Sequence, residues 1–355
     1  MKERILVAAS TYGHLLRFHT PYIDALRAAG HTVVTLAEAE SDADVTAPFV
    51  KHLFSPRNFL AVMKIRKLLM SEHFDRILVH TTLAAFFVRL AVRMLPRRRR
   101  PFVVNTVHGY LFSDGRGLKN RLYLLAERAV RSVTDRVLVM NDEDLSIAEK
   151  YRLGREVRMI RGMGLPMRDI PQDAAPVRQK LGLSDGDRLL LFVGELSKRK
   201  NQSFLINVTA YLPENVYLAL IGDGTEREVL LRAVAEKGLL PRILFVGTTD
   251  RVYDFLAAAD VYVSAAKSEG LPFNIMEAMA AGLPIVATDV KGQRDLLRGS
   301  DATLCPVGDL SVFRAAVEEK LVSPRRVSYP ALARYRLEAV FDDTMDGLVG
   351  RKEEE

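Results

Sequence analysis

Two acids eight positions apart, Glu269 and Glu277, are the residues of this chain whose types and spacing best fit chemistry. The apolar run at 260–265 predicts a buried strand ahead of Glu269. Pro272 is at a position where proline opens a helix, so Glu277 falls inside that helix. The two carboxylates would flank the start of the helix, where each can accept hydrogen bonds from hydroxyl groups.

The start of that helix favours a negatively charged ligand. Its first N–H groups have no partner within the helix and carry the positive end of the helix dipole. Helix starts of this kind bind phosphate groups. A diphosphate between two hydroxyl-binding carboxylates fits a nucleotide sugar, with the ribose on one side and a hexose on the other. The residues expected to contact this donor are Leu271, Pro272, Phe273, Asn274 and Glu277.

The whole segment, EGLPFNIMEAMAAGLPIVAT, resembles the E-x7-E signature of retaining family-4 glycosyltransferases. Two acids at this spacing also occur by chance in solvated helices, but the surrounding frame makes the match specific. The resemblance extends over nearly the whole chain. It implies the GT-B fold, an α/β architecture of two Rossmann-like, doubly wound domains that face a central cleft. Glu269 becomes one of three expected catalytic residues.

A second expected catalytic residue, Lys200, lies in FVGELSKRKNQ, after the first strand of the second half. The resemblance aligns it with the family lysine that binds the donor diphosphate, close to Gly194. Glu195 occupies the place of the family's usual arginine, so Lys198 and Arg199 are expected to help with the countercharge. A solvated basic turn is the alternative interpretation.

Two further glycine turns are expected at the nucleotide. Gly222, in IGDGTERE, and Gly247, in VGTTD, follow predicted strands, and glycine lets the backbone approach a ligand closely. An ordinary strand-to-helix turn explains Gly222 equally well.

The first half offers polar groups in two loops that follow predicted strands. In STYGHLLRFHTPYIDAL, Gly13 is where the family brings the backbone close to a ligand. His14, Arg17 and His19 are expected acceptor ligands or, equally, surface residues. His108, in TVHGYLF, matches the family histidine that reaches the transferred sugar and is the third expected catalytic residue.

The composition fits a two-domain protein without a membrane-spanning helix. The 355 residues are ample for two cores. No window approaches the roughly eighteen consecutive apolar residues of a spanning helix. MKERILVAAS runs directly into a strand, so a cytoplasmic protein without a signal peptide is expected. Cys305, the single cysteine, excludes an intramolecular disulfide and a cysteine-built metal cluster. Since lysine and the helix start supply the countercharge for the diphosphate, the chemistry is expected to need no metal ion and no cofactor.

The net charge is +7, and residues 1–168 carry the positive excess. FFVRLAVRMLPRRRRP (86–101) predicts an amphipathic helix that ends in four arginines, Arg97 to Arg100. Each basic residue near an anionic membrane contributes about 1 kcal/mol, so one interpretation is peripheral docking on the inner face of the plasma membrane. The alternative is a core helix followed by a solvated loop. Nucleic acid is not an expected partner, since the sequence has no zinc-finger, RNP-like or helix-turn-helix signature.

Apolar runs alternate with helical patterns in both halves, which predicts two parallel sheets covered by helices. The stretch 162–176 reads as a linker. The predicted domains are an acceptor-binding domain (1–165), a nucleotide-sugar-binding domain (166–328) and a terminal segment (329–355) with one amphipathic helix from Tyr329 to Leu348 and a short tail. The family resemblance implies that this helix crosses back to the first domain. The predicted strands are 4–9, 31–37, 76–81, 102–107, 136–140, 188–194, 216–222, 243–247, 260–265 and 284–288.

The implied activity is transfer of a hexose or N-acetylhexosamine, with retention, from a UDP-sugar to a saccharide acceptor in capsule or exopolysaccharide synthesis. The basic first half favours an acceptor linked to polyprenyl diphosphate. One alternative is a nucleotide-sugar 2-epimerase, which shares the fold but should lack the E-x7-E segment. A second alternative is a non-catalytic nucleotide-binding module. A dinucleotide-dependent oxidoreductase is disfavoured because the first strand turn, ASTYGHLL, lacks G-x-G-x-x-G.

Overall fold

The computed structural model describes residues 2–50, 55–114, 117–322 and 324–350. They divide into two units, each with its own parallel sheet. The first unit runs up to Gly164 and resumes at Leu337, and the second is Leu165–Arg336. All ten predicted strands are present, with ends displaced by one residue at most.

The sheet of the first unit has seven strands in the order β3-β2-β1-β4-β5-β6-β7. Every neighbouring pair is parallel. The strands are β1 (Arg4–Ala8), β2 (Thr32–Ala37), β3 (Val45–Thr46), β4 (Arg76–His80), β5 (Phe102–Thr106), β6 (Arg136–Val139) and β7 (Glu156–Met159). The helices that precede the second unit are α1 (Tyr12–Phe18), α2 (Thr20–Ala28), α3 (Pro56–Ser71), α4 (Thr82–Arg93), α5 (Leu118–Val130) and α6 (Asp142–Lys150).

The second unit has six parallel strands in the order β10-β9-β8-β11-β12-β13. The strands are β8 (Arg188–Val193), β9 (Val216–Ile221), β10 (Ile243–Gly247), β11 (Val261–Ser264), β12 (Ile285–Thr288) and β13 (Thr303–Cys305). The helices are α7 (Ala175–Lys180), α8 (Gln202–Ala210), α9 (Arg227–Glu236), α10 (Val252–Ala258), α11 (Phe273–Ala280), α12 (Gln293–Leu297) and α13 (Leu310–Val322).

The parallel arrangement places the loops that follow the strands of one sheet along one edge of that sheet. In the first unit, β1 leads to Gly13 and His14, and β5 leads to His108. In the second unit, β8 leads to Gly194 and β11 leads to Glu269. Within each unit, residues far apart in sequence therefore come to the same edge.

Helix α4 corrects the expected amphipathic helix at 86–101. The helix ends at Arg93, and a 3₁₀ turn at Arg97–Arg99 follows it. Its apolar side chains are buried, because α3 and α5 contact it on its two sides and the sheet lies beneath it. The apolar face is part of the core and is not available to lipid. Among the described residues, no helix is both long and apolar enough to cross a bilayer.

The chain from Tyr329 to Leu348 is not the single helix that the pattern predicts. It forms a 3₁₀ helix at Pro330–Tyr335, an extended residue at Arg336, and a final helix, α14 (Leu337–Val349). The division of the chain falls at this break, since Arg336 ends the second unit and α14 belongs to the first.

Contacts within the first unit hold α14 in place. The ring of Phe341 stacks on Tyr22 with centroids 5.1 Å apart. Arg158 on β7 forms ion pairs of 2.6 Å with both Asp343 and Asp346. Two acids three residues apart on α14 therefore pair with a single arginine of β7, an edge strand of the first sheet.

A buried ion pair joins α4 to α5. The Arg89 side chain is fully buried, and its Nη2 donates to Oε1 of Glu127 at 2.9 Å. Arg89 also donates to the Ala85 carbonyl at 2.8 Å and to Oγ1 of Thr134 at 3.4 Å. Both ions gave up hydration on burial, so each depends on the other for compensation.

We expect Glu127→Ala to lower the free energy of unfolding by about 3–5 kcal/mol, because it leaves an uncompensated buried guanidinium. The double variant Arg89→Met with Glu127→Leu should recover most of that loss, since it removes both charges. Urea denaturation followed by circular dichroism measures both. A double variant as unstable as Glu127→Ala would contradict this account of the pair.

Candidate functional site

Glu269 lies between two cations in the second unit. One carboxylate oxygen is 2.6 Å from Nζ of Lys200, and the other is 2.8 Å from Nη1 of Arg199. Glu269 is 7% exposed and Lys200 is 8% exposed, so this pair is shielded from water. The Arg199 side chain is 39% exposed, so the group meets solvent on the arginine side. Two positive charges and one negative charge leave a net positive charge.

Backbone contacts bring the two loops of this group together. Asn201 adopts a left-handed conformation at the end of the loop after β8 and begins α8. Its side-chain amide donates to the carbonyl of Ala265, after β11, at 3.2 Å. The Lys267 amide donates to the Arg199 carbonyl at 2.8 Å. The cations and Glu269 therefore meet because β8 and β11 are neighbours in the sheet.

Helix α11 begins next to this group, as predicted. Pro272 precedes its first residue, and the amides of Ile275 and Met276 donate to the Pro272 carbonyl. The amides ahead of Ile275 thus belong to the helix start. The Asn274 side chain points elsewhere, because its amide donates to the Val193 carbonyl at 2.7 Å and to the Tyr262 hydroxyl at 2.8 Å. It fastens α11 to β8, so only its backbone remains a candidate ligand.

Glu277 lies one turn further along α11 and is 8% exposed. Burial raises the pKa of the nearby Tyr262 hydroxyl, and the charges of Glu277 and Glu269 raise it further. Tyr262 therefore keeps its proton and serves as a neutral hydrogen-bonding group beneath the two carboxylates.

A second set of buried polar residues supports the loop that carries Glu269, and sequence reasoning missed it. Thr288 donates to the Ala266 carbonyl at 2.5 Å, and Gln293 donates to the Ser264 hydroxyl at 2.7 Å. Thr288 and Gln293 are also 3.2 Å apart. The signal was their place at the end of β12, the next strand in the sheet, and at the start of the helix that follows it.

Lys291 and Gly292 belong to the same missed stretch. Lys291 is 6% exposed. A Cβ on Gly292 would lie 2.3 Å from the Gly270 carbonyl oxygen, so only glycine fits against the turn after Glu269. This contact places Lys291 next to the loop that carries the acid.

Gly222 has a packing role in the structure. A Cβ there would lie 2.1 Å from the Gly194 carbonyl oxygen, and a Cβ on Gly224 would lie 2.3 Å from the Leu196 oxygen. The glycines let two backbone loops pack against each other, which needs no ligand. By contrast, a Cβ on Gly247 would meet no described atom within 4 Å.

The basic residues predicted for the diphosphate divide into two groups. Arg199 and Lys200 contact Glu269, and the Lys200 side chain passes Gly194, whose φ is +147°. Lys198 is exposed and lies outside this group.

In the first unit, His14, His19 and His108 come together. The His14 and His108 ring centroids are 4.8 Å apart, and those of His14 and His19 are 5.2 Å apart. Arg17 does not join them, because it is exposed and its guanidinium lies over the Phe18 ring. A Cβ on Gly13, one residue before His14, would meet no described atom within 4 Å.

His80 is a fourth member that sequence reasoning missed. It is the last residue of β4, and its ring centroid lies 3.7 Å from that of His19. The sequence contains a feature that could have indicated His80. Strands β1, β4 and β5 are neighbours in the sheet, and a histidine lies at or after the carboxyl end of each. His14 and His19 converge because the chain turns from α1 to α2 at His19.

Burial keeps all four rings neutral. It lowers the pKa of His14 to about 4. Burial, together with neighbouring histidines, lowers the pKa of His19, His80 and His108 well below the usual value. Each ring therefore offers a lone pair at neutral pH.

Comparison with known proteins identifies relatives for both halves. The family model of Glycosyltransferase Family 4 matches residues 22–161, and that of Glycosyl transferases group 1 matches residues 173–328. The Bacillus subtilis (strain 168) protein "Putative glycosyltransferase EpsD" is 30% identical over 342 residues, which are 91% of this chain and 89% of that protein. An Escherichia coli UDP-Gal:alpha-D-GlcNAc-diphosphoundecaprenol alpha-1,3-galactosyltransferase is 27% identical over 77% of this chain and 74% of its own.

Solved structures share the fold. Anabaena HepE in complex with UDP and glucose superposes with a TM-score of 0.77 at 19% identity, over 98% of this chain and all of that one. Sucrose-phosphate synthase from Thermosynechococcus elongatus gives 0.78 at 20% identity, over 97% of both chains. At these identities the likeness concerns the fold alone, and it confirms the two-domain GT-B architecture that the sequence predicts.

Proposed function

The chain belongs to glycosyltransferase family 4, and on that premise we propose that it transfers a hexose or N-acetylhexosamine from a UDP-sugar to a polyprenyl-diphosphate-linked saccharide, with retention of the anomeric configuration. The observation that carries the proposal is the ion group of Glu269, Arg199 and Lys200 at the start of α11, in which Glu269 and Lys200 are buried. Cell-surface polysaccharide synthesis is the process that fits this acceptor.

The positive side of the site binds the diphosphate. When the sugar leaves, negative charge accumulates on the terminal phosphate oxygens of UDP. Lys200 and Arg199 stabilise that charge, together with the backbone amides from Leu271 to Asn274. Because these groups are held in place before the reaction, little reorganisation is needed when the charge develops.

The two acids orient the donor from either side of the diphosphate. Glu277 accepts hydrogen bonds from the ribose, and Glu269 accepts them from the transferred sugar. Gly222 and Gly247 line the nucleoside through their backbones, and His108 contacts the sugar. The acceptor hydroxyl attacks on the face from which UDP departs, which retains the configuration.

The acceptor is bound by the first unit, through His14, Arg17 and His19. The lipid-linked nature of the acceptor is supported by the E. coli relative, whose name specifies a diphosphoundecaprenol substrate. UDP as the nucleotide is supported by that name and by the UDP complex of HepE.

Removal of the ribose ligand should weaken nucleotide binding. We expect Glu277→Ala to bind UDP roughly 10-fold to 150-fold less tightly, which corresponds to about 1.5–3 kcal/mol for a hydrogen bond to a charged group. Titration calorimetry with UDP measures the affinity, and slow hydrolysis of different UDP-sugars identifies the donor.

The matched control is Glu319→Ala, at an exposed glutamate on α13. It should bind UDP as the unmodified protein does. Unchanged UDP affinity in Glu277→Ala, with its melting temperature preserved, would refute the ribose assignment.

The reaction should not need a metal ion, because Arg199, Lys200 and the start of α11 supply the countercharge for the diphosphate. We expect donor hydrolysis to continue at an unchanged rate after EDTA treatment and removal of the chelator. Complete loss of activity, restored by Mn²⁺, would show that a metal neutralises the diphosphate instead.

A peripheral position on the inner membrane surface suits a lipid-linked acceptor, and we place the contact on α3 and α5. Both helices expose apolar and basic side chains together. Their one acidic residue, Glu127, is the buried partner of Arg89. The exposed apolar residues are Phe59, Leu60 and Met63 on α3 and Leu118, Leu122 and Leu125 on α5, and the exposed basic residues include Lys64, Lys67, Lys119 and Arg121.

Topology favours α3 and α5 over the arginine run. Both helices start at the edge of the sheet where the strands end, which is also the edge of His14 and His108. Arg97–Arg99 precede β5 and therefore lie at the opposite edge. An acceptor whose lipid stays in the membrane is best presented to the edge that carries the acceptor residues.

Serine at Leu118, Leu122 and Leu125 should lower binding to anionic phosphatidylglycerol vesicles by roughly tenfold or more, since it removes apolar insertion. Replacement of Arg97 to Arg100 by glutamine should lower vesicle binding by a smaller factor than the serine substitutions do. If the four arginines touched the membrane surface, they would contribute about 4 kcal/mol to binding. Cosedimentation measures both, and binding should fall with salt.

The control is Val322→Ser, which changes an exposed apolar residue of the second unit. If the leucine variant sediments with vesicles as the unmodified protein does, α5 is not the membrane contact. If the arginine variant alone loses binding, the arginine run is the contact.

A further inference from the structure

The four histidines of the first unit share an unusual feature. Nε2 of His14, His19 and His108 and Nδ1 of His80 are all buried, and none has a hydrogen-bond partner in the part of the chain that the structure describes. Buried polar atoms in proteins are nearly always satisfied. Four unsatisfied nitrogens at one place therefore indicate a ligand that binds imidazole.

Three of the rings converge. One ring nitrogen from each of His14, His19 and His108 lies within 4.8 Å of the other two. Tetrahedral zinc at about 2.1 Å from each nitrogen would place the nitrogens about 3.4 Å apart, so the rings would have to rotate closer together when the ion binds. His19 and His80 are each 1% exposed, and His80 lies against His19, which limits the freedom of that ring.

We propose that His14, His19 and His108 bind one divalent transition-metal ion of the zinc class, with the fourth coordination position open. Imidazole nitrogen suits Zn²⁺, Cu²⁺ and Ni²⁺, whereas Ca²⁺ and Mg²⁺ require oxygen ligands. Three neutral histidines with an open position form a known type of zinc site.

The three histidines are also the residues proposed above to contact the acceptor and the transferred sugar, so a bound ion would offer its open coordination position to those ligands. The diphosphate cations, Arg199 and Lys200, belong to the second unit, whereas the three histidines belong to the first. Metal binding is measured without donor or acceptor, and its failure would leave the proposed countercharge for the diphosphate untouched.

The test is titration of the metal-free full chain with Zn²⁺, followed by calorimetry. We expect the protein to bind one Zn²⁺ ion per chain. The affinity of His14→Gln for Zn²⁺ should be roughly 100-fold or more lower, because loss of a ligand should weaken metal binding at least as much as loss of a residue that hydrogen-bonds a ligand. His14 is partly exposed on α1, so its replacement should disturb the core less than replacement of the buried His19. The matched control, His73→Gln, removes an exposed histidine and should bind as the unmodified protein does.

Co²⁺ provides a second readout, since a four-coordinate site gives strong visible absorption that a surface histidine does not. His108→Gln is the second variant and should lose the absorption as His14→Gln does. Bound Zn²⁺ should also raise the melting temperature of the unmodified protein and of His73→Gln only. Absence of Zn²⁺ binding by the unmodified protein would overturn the proposal. So would equal affinity in both folded histidine variants and His73→Gln.

Discussion

The ion group of Glu269, Arg199 and Lys200 is the interaction on which the rest of the candidate site depends. Ions removed from water are stable only when their partners and hydrogen bonds are well placed, and Glu269 and Lys200 are both buried. One carboxylate compensates two cations here, so the group carries one excess positive charge. In the proposed function, a diphosphate supplies the missing negative charge. The group favours an anion because Glu269 both holds the cations in place and leaves them incompletely neutralised.

Much of the second unit's polar interior serves to fix that group. Gly292 must be glycine because the Gly270 carbonyl occupies the space of a Cβ, and Gly222 must be glycine because of Gly194. Asn274 ties α11 to β8, and Gln293 and Thr288 support the loop after β11. Each contact joins a loop that follows one strand to a loop that follows its neighbour. The spacing between Glu269 and the cations therefore follows from strand order, which the local sequence does not encode.

Strand identity was predictable because strands buried on both faces read as continuous apolar runs. The strands that sequence reasoning missed, β3, β7 and β13, all lie at sheet edges, where one side is exposed and the run is short or polar. Glu269, Glu277 and Lys200 stand out in the sequence because their frames are long and specific. His80, Lys291 and Gln293 have only a positional signal, their place at or after the end of a strand, and their importance arises when neighbouring strands bring them beside another loop.

The error at α4 has the same origin. An amphipathic helix with a basic end has one pattern, whether its apolar face meets a core or a lipid surface. The number of helices and strands that pack against the helix decides whether its apolar face is buried in the core. Helix α4 has α3 on one side and α5 on the other and is therefore buried. Each of the two outer helices exposes apolar side chains among the described residues, and the leucines of α5 are among them. In a layered α/β unit, an apolar face open to a partner is therefore to be sought on the flanking helices, although the central helix is the most apolar of the three.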